Sequence, residues 1–293
     1  MLRTLRELGE LKRVRSAGRA GSIAERRFLL DWSALCGGAD PHAVMLGSVS
    51  ALLAAARLGD LDRPVLLELG VPRADADAIH RAAVAELRPD LLPGTAPLLD
   101  AATAAAVELP AGPVPNFATL LAAQPRAGVT CPGLPRLLFE PPENHAEHCG
   151  IVALYAVLLA PAFGADPTIA WLASLAHHLH NALLPDSGFS GEMLLGAHLE
   201  PVMARATEHS LAQLPPVLAE RVRDARRILP DADTAEGRAF HAADTLDRVW
   251  QIDQHLRAGR TSLDFVLNDM ALVHAGPVKE FQDRLLRGAG LLR

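Results

Sequence analysis

Proline places the strongest constraint on how this chain can fold, because much of it is concentrated in one segment. Eight of the 22 prolines fall within residues 109–142. Proline removes a backbone hydrogen-bond donor and restricts the residue before it, so a long helix cannot cross this stretch. The segment is therefore either an inter-domain linker or an ordered strap over the region that follows, with a short helix near residues 117–123. Its prolines are Pro110, Pro113, Pro115, Pro125, Pro132, Pro135, Pro141 and Pro142.

The sequence on both sides of this segment favours helices over sheet. Hydrophobic residues make up 50% of the chain and aromatic residues only 4%, so the core must be built mainly from Ala, Leu and Val. That mixture suits close-packed helices better than a sheet. Helices are predicted to begin after Ser22, Asp40 and Asp166, because each can cap a first turn and the last two are followed by proline. We therefore predict an all-α fold.

The proline-rich segment also sets the predicted domain organisation. Helical patterns fill the chain before it, resume at Glu143 and continue through a long helix that ends near Leu256. A shorter helical tail follows that helix. The four predicted segments are an N-terminal helical domain at 1–108, the linker or strap at 109–142, a histidine-rich helical domain at 143–257 and a C-terminal helical tail at 258–293.

Charge and cysteine content exclude several classes of protein. The formal net charge of −6 gives no general attraction to nucleic acid. No stretch of about 18 uninterrupted apolar residues occurs, so no membrane span is expected. The three cysteines have no paired spacing, and no apolar segment follows the charged N-terminus as in a secretory signal. We expect a cytoplasmic protein, and the sequence leaves a homo-oligomer open.

Histidines are concentrated in the third segment, which holds nine of the twelve. His148 lies on the apolar stripe of the first helix of that segment, and His177 and His180 continue the stripe of the next helix. His178 is about 100° around that second helix. Asp244 lies on the long helix between alanines and a leucine, which is an apolar neighbourhood for a carboxylate.

Together these residues predict a metal site. A buried ionised Asp is unfavourable unless a cation or several donors compensate it. Imidazoles and a carboxylate that face inward from separate helices supply what a divalent metal requires. Each residue alone has a simpler interpretation, since a lone histidine on an apolar face is more often a core residue and a helical Asp more often a surface or cap residue. The combination favours a metal site between these helices.

Three short motifs resemble those of the HD superfamily, whose members are helical and commonly metal-dependent phosphohydrolases. "ENHAEHCGIVALYAVLLAP" is similar to the family's first element, with His148 matching the first ligand. "WLASLAHHLHNA" is similar to the His-Asp element, with His177 on the motif histidine. "HAADTLDRVWQ" is similar to the last element, with Asp244 on its ligand position. The resemblance covers residues 143–257 and implies an HD-type helical bundle, to which the N-terminal helical domain is an addition.

One position departs from the family pattern, because His178 stands where the family has its defining Asp. In the family that Asp binds metal, and it bridges two metals where two are present. An imidazole can bind one metal but cannot bridge two as a carboxylate does. The resemblance therefore implies a mononuclear divalent transition metal held by His148, His177, His178 and Asp244, with Fe, Mn, Zn and Co not distinguished, or a site that has lost its metal. His198 lies where some members place a further ligand, and it could equally be a surface histidine.

Candidates for acid–base chemistry lie close to the motif histidines. Asp186 and Glu192 flank the loop "PDSGFSG", and either could be a general acid or base or simply a loop and helix-start residue. His180 is a third candidate. Arg248, one turn after Asp244, could meet an anionic substrate or form a local ion pair.

The resemblance and the residues together predict a metal-dependent hydrolase of phosphate esters, acting on a nucleotide or another small anionic metabolite. The metal would lower the pKa of bound water to about 7 and polarise the phosphoryl group. One alternative is an HD-type iron oxygenase, favoured by His198 and opposed by the loss of the bridging Asp. Another is a degenerate HD domain used for binding or scaffolding, favoured by His178 and opposed by retention of the other ligands. Neither a nucleic acid nor a membrane is an expected partner.

Overall fold

Helices make up most of the structure, which is a computed structural model that describes residues 1–104, 109–258 and 279–288. Within these ranges there are isolated bridges but no strand, which confirms the all-α prediction. Short 3₁₀ turns link several of the helices. The helices are α1 (Leu2–Gly9), α2 (Ile23–Cys36), α3 (Pro41–Leu58), α4 (Arg63–Glu68), α5 (Arg73–Leu87), α6 (Ala96–Ala104), α7 (Asn116–Ala123), α8 (His145–Phe163), α9 (Pro167–Leu175), α10 (Gly188–Leu195), α11 (Leu199–Leu211), α12 (Pro216–Ala225), α13 (Ala235–Ala258) and α14 (Lys279–Gly288).

The three helices whose capping residues were predicted from the sequence, α2, α3 and α9, begin at those residues. The Ser22 side chain accepts a hydrogen bond from the Glu25 amide at the start of α2. Asp166 accepts from two amides at the start of α9, which has proline in its first turn. At α8, Asn144 and Glu147 form a capping box, each side chain bonding the backbone amide of the other.

Helix α9 ends earlier than its apolar stripe predicted. The stripe extended to His180, but the helix stops at Leu175, and the Ala176 amide lies within bonding distance of the carbonyls of both Leu172 and Ala173. The chain then turns before a 3₁₀ helix at Leu179–Ala182. On a continued helix two adjacent histidines would point about 100° apart. The turn instead lets them face one neighbourhood.

The hydrophobic core is built around α8, which is buried along nearly its whole length. Helices α2, α3, α7 and α9 all pack with it in one cluster of buried side chains, so the core is shared by residues predicted to form two separate domains. The chain forms two compact units, Met1–Trp250 and Gln251–Arg293. The boundary between them does not fall in the proline-rich segment. Of the second unit, the structure describes the end of α13 and the helix α14; the rest of the predicted tail lies outside the described residues.

The proline-rich segment is part of this core rather than only a connection. Phe117 and Leu121 on α7 are fully buried, and the Phe117 ring meets Trp32 edge to face at a centroid distance of 4.9 Å. Residues 131–138 of the same segment are exposed. An ordered strap therefore describes its first half better than a linker does.

In the part of the chain that the structure describes, two helices, α3 and α8, are long and apolar enough to span a membrane by length and composition alone. Of the most apolar window of α8, 83% is buried inside the protein, and for α3 the share is 56%. A helix that is hydrophobic all round is also what the centre of a helical core requires.

Candidate metal centre

His148 lies at the centre of the candidate site, in the first turns of α8, and is fully buried. Its Nδ1 donates a hydrogen bond to Oδ2 of Asp247 on α13 at 2.7 Å. Its other nitrogen, Nε2, lies 3.1 Å from Nε2 of His177 and 3.2 Å from Oδ1 of Asp244. Residues from α8, α13 and the turn after α9 therefore meet at one atom.

The two histidines of the turn after α9 are oriented by their Nδ1 atoms. Nδ1 of His177 donates to the Ser174 carbonyl at 2.5 Å, and Nδ1 of His178 donates to Oδ1 of Asn181 at 2.7 Å. The Asn181 amide nitrogen donates to the Leu184 carbonyl, which leaves its oxygen to face His178. Because each partner is an acceptor, each Nδ1 carries the hydrogen and each Nε2 of the neutral rings offers a lone pair.

The same arrangement holds at His148, so three rings present ligand atoms to one another. His148, His177 and His178 each offer such an atom, and these atoms all lie within 4.8 Å. Acceptors at this separation repel unless a proton or a metal cation lies between them. The 3.1 Å between the Nε2 atoms of His148 and His177 can be bridged by two metal–nitrogen bonds of about 2.0–2.1 Å. The donor set therefore fits a divalent transition metal.

Burial keeps two of these rings neutral. It lowers the pKa of His177 well below its ordinary value, and the charge of His148 lowers it further. Burial likewise lowers the pKa of His178, helped by the charges of His177 and His145. A neutral imidazole is the form that binds a metal, so both rings are in the ligand form at neutral pH.

Asp244 supplies the carboxylate of the group, and its side chain is 18% exposed. Burial raises its pKa, but the close approach of His148 and the charge of Arg248 outweigh burial, so the pKa is below its usual value. Arg248 lies one turn along α13, with a guanidinium nitrogen 3.6 Å from Asp244. The predicted local ion pair is therefore present, and the carboxylate is ionised.

A second group of charges supports His148, and the sequence patterns did not indicate it. Lys12 donates to Oδ1 of Asp247 at 2.7 Å and to Oε1 of Glu143 at 2.6 Å. Burial lowers the pKa of Lys12, but the charges and hydrogen bonds of the two carboxylates raise it above its usual value, so the group is an ammonium. The available signal was composition, since Lys12 is one of two lysines in an arginine-rich chain.

Arg126 reaches the site from the proline-rich segment and was also not predicted. One guanidinium nitrogen lies 3.5 Å from Nε2 of His178, and another lies 3.8 Å from the Glu143 carboxylate. Its side chain is 20% exposed. Arg126 therefore lies at the edge of the site, where its guanidinium is close to a candidate metal ligand and partly exposed to solvent.

The three acid–base candidates differ in their surroundings. Asp186 accepts from the backbone amides of Ala127 and Gly188, both at 2.9 Å. Burial raises its pKa, but the neighbouring His145 and the hydrogen bonds from these amides hold it below its usual value, so it is anionic and unsuited to donate a proton. Burial, with the charge of Arg226, lowers the pKa of His180 to about 4, so that ring is neutral at pH 7. Glu192 lies half-buried on α10.

His198, a candidate further ligand, is exposed, whereas His145, which was not a candidate, is buried at the site. His198 is solvent-exposed at the end of a short 3₁₀ turn that follows α10, a helix without buried residues, and so lies outside the group of ligands. His145, which no pattern singled out, is fully buried beside His178 with ring centroids 4.7 Å apart. Its Nε2 lies 3.4 Å from the Asp186 carboxylate. Asp186 thus contacts the cluster through His145.

A cavity of about 380 Å³ lies elsewhere, between α2, α3, α5 and the start of the proline-rich segment. Arg27, Arg63 and His80 contribute to its lining, and none of the predicted site residues does.

Comparison with family models, curated proteins and solved structures found no significant match to the chain. The resemblance to the HD superfamily therefore rests on the three motifs alone.

Proposed function

We propose that this protein is a metal-dependent hydrolase of phosphate esters with one divalent transition metal. The observation that carries the proposal is the convergence of Nε2 of His148, Nε2 of His177 and Oδ1 of Asp244, with the Nδ1 of each ring bonded to an acceptor. Such second partners fix the tautomer and orientation of metal-binding histidines. His178, oriented in the same way, would complete the set.

The metal would lower the pKa of water and polarise a phosphoryl oxygen. The chain's own residues would bind and orient the substrate. Arg126 lies beside His178 and Arg248 beside Asp244, and a guanidinium fork matches the oxygens of a phosphate. Arg248 is 60% exposed and Arg126 partly so, which leaves both able to meet an anion from solvent. This charge pattern supports an anionic substrate.

Asp186 has a positioning part in this proposal rather than a part in proton donation. Its carboxylate is held by the Ala127 and Gly188 amides, and it contacts His145, whose ring lies against His178. It therefore ties the loop after the 3₁₀ helix to the proline-rich segment that carries Arg126. Glu192, half-buried on the helix that follows that loop, remains the candidate for acid–base work.

The test is phosphate release by protein reconstituted separately with Mn²⁺, Co²⁺, Zn²⁺ and Fe²⁺. p-Nitrophenyl phosphate and a panel of nucleoside monophosphates serve as substrates. We expect metal-dependent release that Asp244→Ala lowers at least about 100-fold, because it removes a ligand. His198→Ala is the matched control, and its exposed position predicts activity within about twofold of the native protein. A native protein that holds metal but releases no phosphate from any substrate would contradict the proposal.

A second candidate function has one observation in its favour. The Arg126 guanidinium faces Nε2 of His178, and it offers a cation to one ligand without any metal. This favours a degenerate domain for binding or scaffolding, and such a protein would take up no metal on addition. His198 favoured the oxygenase interpretation, but it is exposed, and we do not propose that function.

A further inference from the structure

Next to the candidate metal centre lies a second group of atoms suited to a cation. Glu143, His148 and Asp247 lie together, with one potential ligand atom of each within 4.8 Å of the others. The Nδ1 atom of His148 donates its hydrogen to Asp247, so the two carboxylates are the groups open to a cation. This group shares only His148 with the first. The Lys12 ammonium is already there, 2.6 Å from Glu143 and 2.7 Å from Asp247.

Burial makes that ammonium necessary. The side chains of Lys12, Glu143 and Asp247 are 4%, 7% and 1% exposed. Two buried carboxylates so close together are strongly unfavourable unless a cation lies between them. Arg126 lies 3.8 Å from Glu143 and so provides a weaker second interaction, but among the described residues no lysine or arginine other than Lys12 lies within salt-bridge distance of Asp247.

The chemistry of lysine suits this position. An ammonium is a compact point charge with three donors, whereas the guanidinium of arginine is a larger planar fork. Lys12 reaches the site from the end of a 3₁₀ turn that follows α1. In a chain with 28 basic residues, of which two are lysines, this position holds one of the two.

We propose that the Lys12 ammonium takes the place of a second metal ion and limits the centre to one metal. It neutralises Glu143 and Asp247, and it holds Asp247 so that the other carboxylate oxygen accepts the hydrogen bond from His148. The presence of the first metal rests on the proposed function. The occupation of the second position by Lys12 does not.

The experiment counts Mn²⁺ bound per chain by equilibrium dialysis followed by metal analysis of the full-length protein. Mn²⁺ is the probe because carboxylate and imidazole ligands suit it. We expect about one ion in the native protein and about two in Lys12→Ala, because that variant removes the ammonium and opens space between the carboxylates. Lys12→Arg is the matched control: it keeps a positive charge beside the two carboxylates, so its count stays at about one.

A double variant separates this proposal from the proposed function. His177→Ala removes a ligand of the first group only, so Lys12→Ala with His177→Ala is expected to keep about one ion. If the native protein binds no Mn²⁺ but Lys12→Ala gains an ion that His177→Ala does not remove, the proposed function fails and this inference stands. A folded Lys12→Ala variant with the native count overturns the inference.

A further measurement covers a Lys12→Ala protein that does not fold without a cation. In that case we expect circular dichroism to show recovery of helix when either Mn²⁺ or propylammonium is added, since each can replace the missing charge. Recovery with either cation supports the proposal. A Lys12→Ala protein that stays unfolded with both overturns it, because the role of Lys12 would then be more than that of a cation.

Discussion

Two buried carboxylates in this protein are stabilised in different ways. Asp31, on α2, is 1% exposed and accepts hydrogen bonds from Arg27 at 2.8 Å and from the Ser48 hydroxyl at 2.6 Å. Its partners are donors. Asp244 lies on α13 beside Nε2 of His148, which in turn faces Nε2 of His177.

The difference teaches how to separate a structural cluster from a candidate site. Around Asp31 each carboxylate oxygen has a donor, so the cluster needs no further ligand. His148 donates its Nδ1 hydrogen to Asp247, and His177 donates its Nδ1 hydrogen to a carbonyl. The Nε2 atoms of the two rings, which face each other, are therefore acceptors. Both carboxylates are largely buried. The direction of the donors is what distinguishes them.

Removal of Asp31 is expected to have the largest effect on stability. Asp31→Ala leaves Arg27 and Ser48 without their acceptor in the core, which costs about 3–5 kcal/mol in the free energy of unfolding. Urea unfolding measures it. Glu208→Ala is the control, because its pair with Arg223 is about half exposed and exposed ion pairs contribute little to stability. A loss within about 1 kcal/mol for Asp31→Ala would show that the cluster is not structural.

The pH dependence of stability is expected to have opposite signs at two buried groups, Asp31 and His180. Burial raises the pKa of Asp31 to about 6, above the unfolded value, so the folded state binds the extra proton and stability falls as pH rises from about 4 to 6. Burial lowers the pKa of His180 to about 4, so its contribution is present above about pH 6.5 and is lost as pH falls towards 4. Each shift corresponds to at most about 3 kcal/mol.

Two variants isolate these contributions in metal-free protein. Asp31→Asn is expected to flatten the loss between pH 4 and 6, and His180→Gln is expected to flatten the loss below pH 6.5. The measurement is the free energy of unfolding in urea at several pH values. The same slope in Asp31→Asn as in the native protein would show that Asp31 is not the group that titrates.

Metal is expected to stabilise the folded protein only by binding at the histidine cluster. At a free metal concentration about 100 times the dissociation constant, binding to the folded state adds about 2.7 kcal/mol. We expect this gain in the native protein and in Asp31→Ala, but not in His177→Ala. Thermal unfolding with and without a chelator measures it. An equal gain in His177→Ala would place the metal elsewhere in the chain.

The smallest expected effect concerns the partner of His148. Asp247→Asn keeps an oxygen near Nδ1 but removes the charge, so metal affinity is expected to fall about 10–100-fold. Isothermal titration with Mn²⁺ measures the change. An unchanged affinity would show that the Asp247 charge does not tune His148.

Local patterns predicted much of the fold. The starts of α2, α3 and α9 follow from Ser22, Asp40 and Asp166, whose side chains bond the first amides of each helix. These interactions span only a few residues, so the sequence displays them directly. The apolar stripe predicted that α9 continues to His180, but the helix ends at Leu175. The turn that follows keeps several of the next residues buried, so the apolar pattern extends beyond the end of the helix.

The candidate site was predicted in part. His148, His177, His178 and Asp244 come together, as the motifs indicated. His198 was expected with them and is exposed, because nothing in a motif reports the path of the intervening chain. Glu192 and the metal itself stay predictions.

The sequence by itself determined the helical class, the starts of α2, α3 and α9, and several of the residues able to bind a metal. These depend on side-chain chemistry and on periodicity within one helix. Only the tertiary structure decided that Lys12 contacts Asp247, that Arg126 reaches His178, and that each Nδ1 is bonded and each Nε2 left to face the others. Most of these contacts join residues from far apart in the chain, where burial and the direction of donors are set by packing and no local pattern records them. The Nδ1 bonds of His177 and His178 span only three residues, but they depend on the turn that ends α9.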